Sequence, residues 1–237
     1  MNVNTFPSEL VICIGTNASL PILANLTLLN SRFHTLLRPV LYKRGVHLSS
    51  TEPENTNPAA YLIHHNCAST LRHFLHYGLS ANTLISDREF SKPQHPQWIS
   101  LLHLAVHCKA ARDAGDQTMV KLLLDHGAKP EVKDAHGCTP LHYSVYYTPS
   151  WASQELVMGW VKMLLEKGAD VDARDCWGRT PLHEAARADN EEAVRLLLSY
   201  GAKRDVGDVD ERTALRIAIQ EGSEEAEKVL KEMGAVV

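Results

Sequence analysis

Histidine and cysteine are among the side chains of this chain that could ligate a metal or act as nucleophile, acid or base. His103 and His107 lie four apart, the separation that puts two imidazoles on one helical face toward a zinc ion. Between them stand Leu104, Ala105 and Val106, so the glutamate that a zinc protease uses as its base is missing. His64-His65 and the pair His73 and His76 also cluster, without a third and fourth ligand type at fixed spacing, and are read as partly exposed helix residues. The five cysteines, at 13, 67, 108, 138 and 176, form an odd set with no C-x-x-C pair. They read as reduced thiols of a cytoplasmic or nuclear protein. There is no glycine-rich phosphate loop, no G-x-S-x-G, and no serine or cysteine with an evident base beside it. Glu191-Glu192 and Glu224-Glu225 are paired acids on predicted helix surfaces, where solvation accounts for them. The chain is therefore expected not to be an enzyme and to use no metal or other cofactor.

The elements that carry these residues repeat. In Asp175–Gly207, Thr180-Pro181 opens a helix, since threonine can cap orphan amides and proline at the first helical position loses no hydrogen bond. Leu182, Ala185 and Ala186 make its short apolar face, and the alanines let a neighbouring helix come close. A second helix follows Asp189-Asn190, carries Ala193, Val194, Leu196, Leu197 and Leu198, and stops at Gly201. Such a unit cannot bury its own apolar side. Copies of it are present: Gly168, Gly201 and Gly234, each followed by alanine, are spaced 33 and 33 apart, and Leu182 to Leu215 is again 33. Upstream, Gly127 precedes Gly168 by 41 and Leu102 precedes Leu141 by 39. A fixed period of this size marks a solenoid.

The chain resembles the ankyrin-repeat family. TPLH stands at Thr139–His142 and Thr180–His183, weakened to SLLH at Ser100–His103 and TALR at Thr213–Arg216. LLL-x-x-GA follows at Leu122–Ala128 and Leu196–Ala202, and MLLEKGADVDA at Met163–Ala173. The resemblance implies an all-α fold: an ankyrin-repeat solenoid of helix-turn-helix repeats with β-hairpin fingers. It also implies a rigid groove, built from the fingers and the first helix of each unit, that holds a protein target. Carried over position by position, it places outward-facing residues at Ala135, His136 and Cys138, at Cys176, Trp177 and Arg179, and at Val209, Asp210 and Arg212. On the helical wall it adds Tyr146, Arg187 and Gln220. His136, Tyr146, Trp177, Arg179, Arg187, Arg212 and Gln220 are the expected partner contacts, and tryptophan and arginine are the types most often found at hot spots. His103, His142 and His183 are expected to hydrogen-bond within and between fingers.

The N-terminus is not a repeat. Phe6-Pro7-Ser8-Glu9-Leu10 starts an amphipathic pattern, with Ile14, Leu20, Leu23, Leu26, Leu36 and Leu37 at broadly helical spacing. Thr5–Arg44 resembles an F-box, a small three-helix motif, and its ending SRFHTLLRPVLY is similar to versions that precede ankyrin arrays in filamentous fungi. That resemblance implies docking on a Skp-family adaptor of a cullin-RING ubiquitin ligase through Phe6, Pro7, Leu10, Ile14, Leu20 and Leu23. The family usually has leucine where Ala18 stands and an acid near Ile22, departures that bear on adaptor binding. The other reading of this stretch is a helical cap over the first repeat.

The expected organisation is an F-box-like domain at 1–48, a polar, proline-punctuated linker at 49–57, and five repeats. These are 58–97, degenerate and ending in an irregular insertion from Thr83 to Gln97; 98–133; 134–174; 175–207; and a capping repeat at 208–237. His103 to Leu122 spans 19 positions and His142 to Met163 spans 21, against 13 from His183 to Leu196, so two repeats carry insertions between their helices. The second insertion holds Tyr146, Tyr147, Trp151, Met158 and Trp160. Trp160 is expected to fold back on the lengthened helices, while Trp151 fits either packing or a partner contact.

Composition bounds the partners. The 237 residues are 44% apolar and 22% charged, as in a globular protein. Residues 98–237 hold seventeen Lys/Arg and twenty-three Asp/Glu, an acidic balance that argues against nucleic acid. Leu10–Leu29 has no basic residue before it and is broken by Thr16, Asn17, Ser19, Asn25 and Thr27, so neither a membrane span nor a signal sequence is expected. A monomer serving as an F-box substrate receptor, or else as an ankyrin scaffold or regulator without a ligase role, is the functional expectation.

Overall fold

Thr180 caps a helix from Pro181 to Arg187, and the same local chemistry recurs along the chain. The computed structural model describes residues 58–64, 66–76, 79–87, 97–108, 116–146 and 154–235. The F-box-like stretch, with Phe6, Pro7, Leu10, Ile14, Leu20 and Leu23, and the expected linker lie outside the described residues. So does Trp151.

Helices come in pairs. In order they are α1 (Pro58–His64) and α2 (Ala68–His76), α3 (Leu101–His107) and α4 (Thr118–Asp125), α5 (Pro140–Tyr146) and α6 (Gln154–Glu166). Then follow α7 (Pro181–Arg187) and α8 (Glu191–Ser199), and α9 (Ala214–Glu221) and α10 (Glu224–Glu232). The first helices form one row, α1 on α3, α3 on α5, α5 on α7 and α7 on α9; the second helices form an outer row behind them. This is a solenoid in which each pair buries its apolar face against the next.

The motif leucines Leu102, Leu141, Leu182 and Leu215 lie at 0–1% exposure on the inner row. Ala105, Ala185, Ala186 and Ala218 are fully buried, small enough to let inner helices approach. On the outer row Leu123, Leu164, Leu197 and Leu230 are equally buried. Each outer helix of the last four pairs closes in the same way. After α8 the Ala202 amide donates to the Leu197 carbonyl and Gly201 to Leu198, with Gly201 at φ +87°. That pair of bonds needs a left-handed residue at the turn, which glycine supplies without steric cost. Trp160 lies within α6 at 1% exposure and joins the main core, as a packing residue rather than a surface one.

The segment from Thr83 to Gln97, expected to be irregular, instead begins and ends in paired strands. Strand β1 (Leu84–Asp87) runs antiparallel to β2 (Gln97–Ser100), with Ile85 opposite Ile99 and Ser86 opposite Trp98. Ile85 and Ile99 turn inward at 5% and 2% exposure, while Leu84 and Trp98 turn outward at 48% and 53%. Strands of four residues each are too short to stand out in sequence beside Pro93 and Pro96.

Candidate partner-binding site

The fingers owe their shape to one aspartate each. Asp134, Asp175 and Asp208 are buried, and the Oδ1 of each accepts two amides, two and four residues on. These are His136 and Cys138 at 2.9 and 2.8 Å, Trp177 and Arg179 at 2.9 and 2.8 Å, and Asp210 and Arg212 at 2.9 and 3.0 Å. A carboxylate bonded to its own downstream amides holds a turn without help from neighbours. Its other oxygen is taken by Tyr143 Oη in the first finger, by Arg179 in the second and by Arg212 in the third. Sequence reasoning missed these aspartates, although D-x-x-G stands at Asp134 and Asp175 with the spacing of the repeats.

Motif histidines join each inner helix to the next finger. The Nδ1 of His142 accepts from the Thr139 amide at 3.1 Å and lies 2.9 Å from its hydroxyl, while Nε2 donates to the Arg179 carbonyl at 3.1 Å. His103 bridges Ser100 to the Cys138 carbonyl, and His183 bridges Thr180 to the Arg212 carbonyl, both at 3.0 Å on the Nε2 side. Only the neutral ring with its proton on Nε2 satisfies both sides, because a backbone N–H faces Nδ1. Burial drives the pKa of His103 down to about 4, and lowers those of His142 and His183. Three side chains that might have done acid–base chemistry are thus committed to stacking.

Fingers also meet directly. Cys176 N donates to His136 O at 2.8 Å and Val209 N to Trp177 O at 2.9 Å. The turn glycines allow it: a Cβ at Gly137 would stand 3.0 Å from Cys176 N, and one at Gly178 would stand 3.2 Å from Val209 N. Both residues sit at positive φ, +75° and +73°.

Between the fingers and the inner helices α5 and α7 lies a cavity of about 250 Å³. Five of the seven expected contacts line it: His136 and Trp177 from the fingers, Arg179 behind them, and Tyr146 and Arg187 on the helical wall. Trp177 is 44% exposed and Tyr146 41%. His136 stacks on Trp177, the Arg179 guanidinium lies 4.6 Å from the Trp177 ring centre, and that of Arg187 lies 4.4 Å from Tyr146. Arg212 is elsewhere, on the next finger, where it pairs with Asp208 at 2.7 Å and Asp210 at 3.0 Å. Gln220 is exposed near the end of α9, also outside the cavity.

The cavity floor holds a residue that sequence reasoning passed over. Glu184 is 3% exposed; its Oε1 pairs with Arg179 at 2.9 Å and its Oε2 with Arg187 at 2.8 Å. Its neighbour Cys138 has its thiol pushed up to about 12, by burial first and then by the charge of Asp134, which leaves it a poor nucleophile at neutral pH. Among the described residues no group of three or more His, Cys, Asp or Glu is placed to hold a metal ion, and no helix is long and apolar enough to cross a membrane.

Known proteins share this pattern. A family model described as ankyrin repeats in three copies matches residues 150–237, and a single ankyrin-repeat model matches residues 99–135. A protein of Pyrobaculum aerophilum named for its ankyrin repeats is 54% identical over 43 residues. That match spans 18% of this chain and 14% of the relative. Ankyrin repeats are protein–protein interaction modules, and with more than half of its residues matched by these models, the chain belongs to the ankyrin-repeat family.

Proposed function

We propose that the chain is a non-catalytic interaction protein that holds a protein target in the groove between its fingers and inner helices. The observation that carries this reading is the cavity between the fingers of Asp134 and Asp175. There two exposed aromatic rings and two partly exposed arginines, the residue types that dominate binding energy, stand on a framework already ordered by buried aspartates and histidines. The reading includes a monomer in the cytoplasm or nucleus that binds neither nucleic acid nor membrane.

The finer proposal is an F-box substrate receptor. The N-terminal 44 residues dock on a Skp-family adaptor while the groove presents a target to a cullin-RING ubiquitin ligase, and the receptor acts by raising effective concentration. Its support is the sequence SRFHTLLRPVLY and the opening Phe6-Pro7-Ser8-Glu9-Leu10. Ala18 and Ile22 favour the second reading, a scaffold or regulator without a ligase role. Co-purification of the full-length chain with the adaptor, lost on deletion of residues 1–44, supports the receptor. A full-length chain that never recovers the adaptor leaves the scaffold.

A further inference from the structure

Four positions follow the motif histidine or its substitute: Leu104, Tyr143, Glu184 and Ile217. Leu104 and Ile217 are buried apolar side chains, and Tyr143 is half-buried with its hydroxyl on Asp134. The stacking of this solenoid therefore works with apolar or aromatic residues there, and only the fourth pair places a carboxylate in that burial. A buried acid costs solvation free energy that apolar packing does not, so its presence at the floor of a cavity points to the cavity.

Glu184 cancels charge. Arg187 gives its Nε and Nη2 to Glu184 Oε2 at 3.2 and 2.8 Å. Arg179 gives Nη1 to Oε1 at 2.9 Å, and its Nε and Nη2 lie on Asp175 Oδ2 at 2.9 and 2.8 Å. Two guanidiniums thus meet two carboxylates, and Asp134 adds a third acid to the lining. Without Glu184 the Arg187 guanidinium would face the cavity with no carboxylate on it. With Glu184 in place the walls are the rings of His136, Tyr143, Tyr146 and Trp177, and no net positive charge stands among the paired groups. At about 250 Å³ the space lies below the range of small-molecule sites and suits one large side chain.

We propose that Glu184 is the specificity-determining residue of this cavity: by pairing with both arginines, and with Asp175 cancelling their charge, it makes the cavity take an uncharged aromatic side chain of a protein partner and turn acidic ones away. The proposal rests on the reading of the groove as the partner site. Aromatic rings favour an aromatic guest through edge and face contacts, and an uncompensated acid beside Asp134 and Glu184 is repelled.

The test is selection of phage-displayed random peptides on the full-length chain, on Glu184→Gln, on Arg187→Gln and on the double variant, with circular dichroism to confirm folding. The original chain should enrich peptides with an aromatic anchor and no acid beside it. Glu184→Gln should move selection toward Asp and Glu, and change the ratio of affinities for an acidic and an amide version of one selected peptide about fivefold. Arg187→Gln should move selection toward Lys and Arg, and the double variant should return to the original pattern. If Glu184→Gln does not fold, the Arg187→Gln shift decides. Peptides selected equally by all four proteins overturn the role of Glu184 and leave the groove reading standing. A chain that enriches no peptide family overturns the groove reading and this inference with it.

Discussion

Trp177 lies against His136 with ring centres 5.4 Å apart and planes 26° from parallel, so the Asp175 finger leans on the Asp134 finger through the residue it also shows to solvent. Packing between fingers and exposure usually exclude each other for a tryptophan; here one side chain stacks on the neighbouring finger and still stands 44% exposed.

Trp177→Ala should therefore keep the helical circular dichroism, lower unfolding free energy by only about 1 kcal/mol, and weaken target binding at least tenfold. Calorimetric melting beside a binding titration checks it. Loss of the folded state would put the residue in the core instead.

Leu197 is fully buried in α8, between neighbouring helix pairs. Leu197→Ala should cost about 2–5 kcal/mol in urea unfolding, the cavity left in an outer row that has no slack to close it.

Gly137 and Gly178 contrast with Glu211, which takes the corresponding turn position of the last finger at φ +60°. Among the described residues no further finger stacks on Glu211, so its side chain has room but the backbone is strained. Glu211→Gly should raise stability by about 1 kcal/mol. Gly137→Ala should lower it by more than that, since its Cβ would press on Cys176 N at 3.0 Å as well as forcing positive φ. Paired denaturation curves give both signs.

His103 sets an acid limit on stability. Unfolded, its imidazole takes a proton near pH 6.5; folded, only at about 4, because burial disfavours the charged ring. Between those values the unfolded chain binds more protons, so stability present above pH 6.5 is lost as pH falls toward 4, by about 3 kcal/mol from this residue. Asp134 opposes the effect and His142 adds to it. A His103→Gln variant, unfolded by urea at pH 7 and at pH 4.5, should lose less on acidification than the original chain.

Much of the fold is legible without coordinates. Leu182, Ala185 and Leu197 announce their burial by helical spacing, and Gly201 announces where the helix stops, because these are local properties of short segments. The hairpin of Leu84–Asp87 and Gln97–Ser100 was not legible, since four-residue strands separated by nine positions carry little periodicity. Trp160 could be assigned to packing from its place on a lengthened helix, which the structure bears out.

By itself the sequence determined the thirty-three-residue module, the positions that stack, and the side of each unit on which exposed residues would stand, because a period repeats the same local geometry. Only the tertiary structure decided that His136, Tyr146, Trp177, Arg179 and Arg187 share one cavity while Arg212 and Gln220 do not. It also decided that Glu184 lies beneath two of them. Which residues from different modules meet depends on how fingers and helices lean together across tens of residues, and no local pattern records that distance.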